Sequence, residues 1–141
     1  VTEVSVARSS LDLSAESETP SEEVLDLPKG VEVYQIDGPF FFGIATKLES
    51  AMQGVGERAK VRIVRMRRVP FMDSTGVHNL ESLVRMSQEA GVVIILSGVN
   101  PKVRETLNKA GFVSLLGEQF ICDNIQDAIK QANHHLALVN D

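Results

Sequence analysis

From residue 31 onward the chain alternates, four times over, between a short apolar stretch of strand length and a longer stretch with apolar residues at helical spacing. The strand-like stretches are residues 31–36, 61–66, 92–97 and 120–122. The stripes that follow them are Phe41, Ala45, Leu48 and Met52; Val77, Leu80 and Val84; Val103, Leu107 and Ala110; and Ile125, Ile129, Ala132, Leu136 and Val139. Each set falls on one face of a helix, whereas a strand would need a period of two. Strands separated by helices cannot close as tight hairpins, because a helical crossover returns the chain in the parallel direction. The expected fold class is therefore α/β, a single domain with a small, mostly parallel or mixed sheet of four to five strands and alternating helices.

Local punctuation supports the same division. Asp37-Gly38-Pro39 reads as a turn, and Gly91 and Gly111 stand where helices should stop. Asn100-Pro101 pairs an N-cap residue with Pro at the first helical position, and Asp123-Asn124 leads into the last helix. Residues 92–96 are continuously apolar, as expected of a central strand buried on both faces. Residues 9–23 are rich in Ser, Glu and Pro without a sustained apolar period. Residues 1–27 are thus expected to be an acidic linker, partly disordered, with the folded domain beginning near Leu27 and occupying residues 28–141.

Charge divides along the same line. Residues 1–30 hold seven acids against two bases, which accounts for the whole net charge of -5; the remainder balances twelve against twelve. The body has no overall field to steer nucleic acid or anionic lipid, and 5% aromatic residues with no Trp leave no stacking platform for single strands. No nucleic-acid partner is expected. The single cysteine, Cys122, cannot form an internal disulfide and points to a reducing compartment. The longest aliphatic run is far short of the roughly 20 residues of a membrane span. The chain starts at Val1, which is consistent with a piece of a longer protein.

Catalytic and metal-binding patterns are thin. His78 lies one turn after Ser74, yet no Gly-x-Ser-x-Gly elbow accompanies the pair, and a solvent-facing histidine is the simpler reading. His134 and His135 are adjacent on a helix and diverge by about 100 degrees, too far to share a metal. Gly54-Val55-Gly56 is too short for a phosphate loop, and no Walker pattern occurs. No catalytic residue, cofactor or metal site is expected. Six cations cluster at Arg58, Lys60, Arg62, Arg65, Arg67 and Arg68, but Arg62 and Arg65 project to opposite faces of a strand. Arg67 and Arg68, at the strand's end, are candidates to hold an anion or an acidic partner, against the plainer reading of solvated edge charges.

Asp73-Ser74-Thr75-Gly76 carries the strongest functional signal. It sets a carboxylate and two hydroxyls at a helix N-terminus, where unpaired N–H groups and the helix dipole favour negative charge. A phosphate on Ser74 or Thr75 would be held there. The same residues are also ordinary capping residues.

Taken together with Pro70-Phe71-Met72 before it and the amphipathic helix after it, this turn resembles that of the STAS domain shared by anti-sigma-factor antagonists and SulP anion transporters. The resemblance covers roughly residues 28–139. Asp37-Gly38-Pro39-Phe40-Phe41-Phe42-Gly43 resembles the Gly-Pro-Leu-Phe-Phe pattern of SulP domains, where soluble antagonists carry a more polar segment. Three consecutive Phe cannot all face one way on a helix, so at least one is expected at the surface or against a partner.

What the resemblance implies is a non-catalytic cytoplasmic regulatory domain of a proton- or sodium-coupled anion transporter, sulfate-type by default, on the inner face of a bacterial membrane. The implied contact set is Asp73, Ser74, Thr75, Gly76 and His78, with Arg67, Arg68, Phe40, Phe41 and Phe42. The implied partners are the transporter's own transmembrane domain, a soluble protein of the kinase or acyl carrier protein type, a weakly bound nucleotide, and a second copy in a homodimer. The alternative it leaves open is a free-standing anti-sigma antagonist switched by phosphate on Ser74. A small-molecule hydrolase resting on Ser74 and His78 is a distant third.

Overall fold

The structure is a computed structural model, described here for residues 2–7, 26–53 and 59–139. Five strands form one sheet in the order β1-β2-β3-β4-β5. They are β1 (Glu3–Ala7), β2 (Val31–Asp37), β3 (Val61–Arg68), β4 (Val93–Ser97) and β5 (Ile121–Cys122). β1 runs antiparallel to β2, and every other neighbouring pair is parallel. The helices are α1 (Ile44–Met52), α2 (Ser74–Glu89), α3 (Pro101–Lys109), α4 (Phe112–Leu116) and α5 (Ile125–Val139).

Residue parity sorts the sheet into two faces, as a pleated strand requires. Tyr34, Ile36, Val64, Met66, Ile94 and Leu96 pack under α1, α2, α3 and α4. Val31, Val33, Val61, Ile63 and Ile95 pack on α5, which lays Ile125, Ala128, Ala132 and Leu136 against them. β4 is buried on both faces, in keeping with its apolar run through Leu96, and ends in the buried Ser97. Since the parallel strands all point the same way, the loops after β2, β3 and β4 gather at one edge, where open α/β sheets place their sites.

Three boundaries differ from the sequence reading. The folded unit does not begin near Leu27: Glu3–Ala7 is an edge strand, with Val4 and Val6 half-buried against the core. Its alternation is too short to stand out beside the acidic run that follows. Phe41 lies outside α1, whose inner face is Ile44, Ala45, Leu48 and Met52. Phe120 falls in a single 3-10 turn, leaving β5 only Ile121 and Cys122. Residues 9–23, Gly54-Val55-Gly56 and Arg58 lie outside the described residues.

Candidate functional site at the carboxyl edge of the sheet

α2 opens at Ser74, so that Asp73 is its N-cap. The Asp73 backbone is extended, and its Oδ1 accepts the Gly76 N–H at 2.6 Å. This bond satisfies one of the donors that a helix start leaves unpaired. Ser74 and Thr75 are therefore the first two helical residues, and both side chains are exposed. His78, one turn on, is exposed as well.

The turn is latched to the loop that follows β2. Phe40 forms an isolated parallel bridge with Met72: its N–H donates to the Phe71 carbonyl at 3.0 Å, and its carbonyl accepts from the Asp73 N–H at 3.3 Å. Gly76 packs directly on this bridge. A Cβ there would collide with the Phe40 carbonyl oxygen and stand 2.9 Å from the ring atom Cδ1. Glycine is required here for space, since its backbone is helical.

The three phenylalanines separate as a consequence. Phe40 is wholly buried, which removes its side chain from the expected contact set. Phe41 is 41% exposed and Phe42 71%, on a loop that Gly43 turns into α1 through a φ of 92°. The Phe41 ring meets Phe71 edge-on with centroids 5.6 Å apart, and Phe71 is itself 37% exposed. Lys102, from the first turn of α3, stands 5.9 Å above the Phe71 ring centre. Neither Phe71 nor Lys102 belongs to the contact set implied by the sequence. The only hint was Phe71's position beside an inward Met72 at the strand-to-helix turn.

The arginines divide too. β2 and β3 slip register after Gln35↔Arg65, so that Asp37 pairs with Arg68 and the exposed side chains form an ion pair at 3.5 Å. Such a pair is worth little to stability. Arg67 is exposed, and its main chain packs against Gly98 at the end of β4. Among the described residues, no hydrogen bond or ion pair ties Arg67 or Arg68 to the Asp73-Gly76 turn.

Away from this edge, a groove of about 520 Å³ borders β5 and the start of α5, lined by Arg104, Asp123, Asp127 and Lys130 among others. Cys122 lies on its floor. Burial, reinforced by Asp127 and Asp123 and opposed by Arg104, pushes its thiol up from 9.0 to about 11. At neutral pH it is a protonated thiol and a poor nucleophile. Among the described residues no group of three His, Cys, Asp or Glu is placed to hold a metal, and no helix is long and apolar enough to cross a membrane.

The STAS domain profile matches residues 24–132. The chain belongs to the STAS domain family. It is 38% identical to a sulfate transporter family protein from Wolinella succinogenes, whose crystal structure superposes with a TM-score of 0.75 over 87% of this chain and 99% of that one. The SulP transporter STAS domain from Vibrio cholerae is 36% identical, with a TM-score of 0.70 over 79% of this chain and 88% of that one. The putative sulfate transporter YvdB of Bacillus subtilis is 28% identical over 95 residues, 67% of this chain. This STAS domain spans only 18% of YvdB's length.

Proposed function

We propose that this STAS domain is the cytoplasmic regulatory domain of a SulP-type anion transporter, sulfate by default, and that it performs no catalysis itself. The observation that carries the reading is the 38% identity to a sulfate transporter family protein along nearly the whole of that chain. The geometry is in keeping with it. The candidate site presents exposed hydroxyls, Ser74 and Thr75, and exposed aromatic rings, Phe41, Phe42 and Phe71, a composition suited to contact with another surface. In this reading Ser74, Thr75 and the exposed side of α2 meet the transmembrane domain of the same transporter or a soluble regulator.

Fractionation of native cells, probed with an antibody raised against residues 31–139, tests the assignment. The expected result is a membrane-bound band several times larger than this chain; a soluble band of about its own size overturns the reading. Deleting the domain should lower transport or surface expression while leaving anion preference unchanged.

A second reading draws on the exposure of Ser74 at the start of α2: a free-standing anti-sigma antagonist released from its partner by phosphate on that hydroxyl. Incubation with a cognate anti-sigma kinase and ATP, followed by intact mass, decides it. An unchanged mass removes this reading.

A further inference from the structure

The loop after β2 is held from two sides. On one side are the Phe40 bridge to Met72 and the contact with Gly76. On the other is Thr2, the residue that precedes β1. Thr2 is only 4% exposed; its Oγ1 donates to the Pro39 carbonyl at 2.7 Å, and its own carbonyl accepts from Lys47 Nζ of α1 at 3.2 Å. Gly38, at a φ of 130°, leaves the room for it: a Cβ there would stand 2.7 Å from Thr2 Oγ1 and 3.0 Å from Thr2 Cα. We infer that β1 is a strap whose seating at Thr2 sets how firmly the Asp73-Gly76 turn is held, so that release of this strand regulates the presentation of Ser74 and Thr75.

Two features support the coupling. First, the path from strap to turn is short and continuous. Thr2 holds the Pro39 carbonyl; the next residue, Phe40, accepts the Asp73 N–H on its carbonyl at 3.3 Å; and Asp73 caps α2 through the Gly76 N–H at 2.6 Å. Second, β1 is built to come away without the rest of the sheet. It is an edge strand of five residues with β2 as its one neighbour, Glu3, Ser5 and Ala7 are exposed, and Val4 and Val6 are half-buried. Residues 8–30 separate it from β2, so no tight hairpin turn joins the two. An element with few buried contacts opens at lower cost than the core. Its release leaves β2 to β5 paired, yet takes the Thr2 hydroxyl from the Pro39 carbonyl and the Thr2 carbonyl from Lys47. Coupling between two sites needs an element of this kind, with two positions that each site can bias. The strap's bearing on regulation rests on the transporter reading in one respect: the Ser74 turn is taken as the surface that a partner meets.

Amide hydrogen exchange of the 141-residue chain tests it. The reporters are the Phe40 N–H, bonded to the Phe71 carbonyl, and the Asp73 N–H, bonded to the Phe40 carbonyl. The Gly98 N–H, bonded to the Cys122 carbonyl at 3.0 Å, lies at the same edge of the sheet and is the reference. Thr2→Val keeps the branched shape and removes the hydroxyl; both reporters should exchange about fivefold faster, the equivalent of one ordinary hydrogen bond. Val6→Ser loosens β1 from its far end, where Val6 pairs with Tyr34 and touches the turn nowhere. It should speed both reporters by about fivefold as well, through lost apolar burial, with Gly98 unchanged. Unchanged reporters in either variant overturn the inference, as does an equal rise at Gly98. Failure here is separable from failure of the transporter reading, because exchange is read on the chain alone: a large membrane-bound band in cells with unchanged reporters would leave that reading standing, and a soluble band with faster reporters would leave the strap standing.

Discussion

Two strand-to-helix turns lie side by side at the carboxyl edge of the sheet and use the same device to different ends. Asn100 caps α3 as Asp73 caps α2: its Oδ1 accepts the Val103 N–H at 2.8 Å, where Asp73 accepts from Gly76 at 2.6 Å. Asn100 also donates through Nδ2 to the Val69 carbonyl at 3.1 Å, fastening the loop after β4 to the end of β3. Pro101 then occupies the first helical position. A carboxylate has no proton to donate at neutral pH, so Asp73 makes no equivalent tie, and the turn is held from below by Gly76 on Phe40. One cap is closed by its own side chain and by Pro. The other is fixed by backbone and leaves two hydroxyls free at its outer face.

The largest effect should come from filling the space beneath Gly76. Gly76→Ala sets a methyl group against the Phe40 carbonyl oxygen, which belongs to a hydrogen-bonded bridge and cannot move alone. The expected loss is about 3 kcal/mol by denaturant unfolding, typical of severe overpacking. A loss below about 1 kcal/mol would mean the loop yields, and the contrast between a backbone-held and a side-chain-held turn would fail.

Removing each cap sharpens the comparison. Asn100→Ala deletes the bond to Val103 and leaves the Val69 carbonyl without its partner, for an expected cost of about 2 kcal/mol. Asp73→Ala deletes only a cap, at about 1 kcal/mol. The conservative exchanges should split the same way. Asn100→Asp keeps the cap and loses the tie, at about 1 kcal/mol, while Asp73→Asn should cost only a few tenths. Equal costs for the two exchanges, read from thermal or denaturant midpoints, would show that the Val69 bond contributes nothing.

Much of this was legible beforehand because strand-helix alternation and capping are local. The apolar stripes marked α2, α3 and α5, Asn100-Pro101 marked the start of α3, and Asp73-Ser74-Thr75-Gly76 marked the functional turn. What escaped was set by contacts between distant segments. β1 is a strand because it pairs with β2 across a separation of some thirty residues, and nothing within residues 3–7 reveals that pairing. Phe71 and Lys102 join the site only because parallel strands bring three loops to one edge. Phe40, grouped with its neighbours by sequence, is drawn inward by a bridge to Met72 that no local period encodes.

The smallest expected effect is the one that bears most on function. Ser74 is the first residue of α2, exposed, and follows a cap already satisfied through Gly76, so its hydroxyl has no structural task that Ala would leave undone. Ser74→Ala should change stability by less than about 0.5 kcal/mol, and Thr75→Ala by as little. A residue whose loss leaves the fold intact but lowers transport in the full-length protein would be acting through contact or modification at the surface. A loss of more than about 1 kcal/mol would instead make the hydroxyl a structural cap, and the two turns would then differ only in how they are fastened.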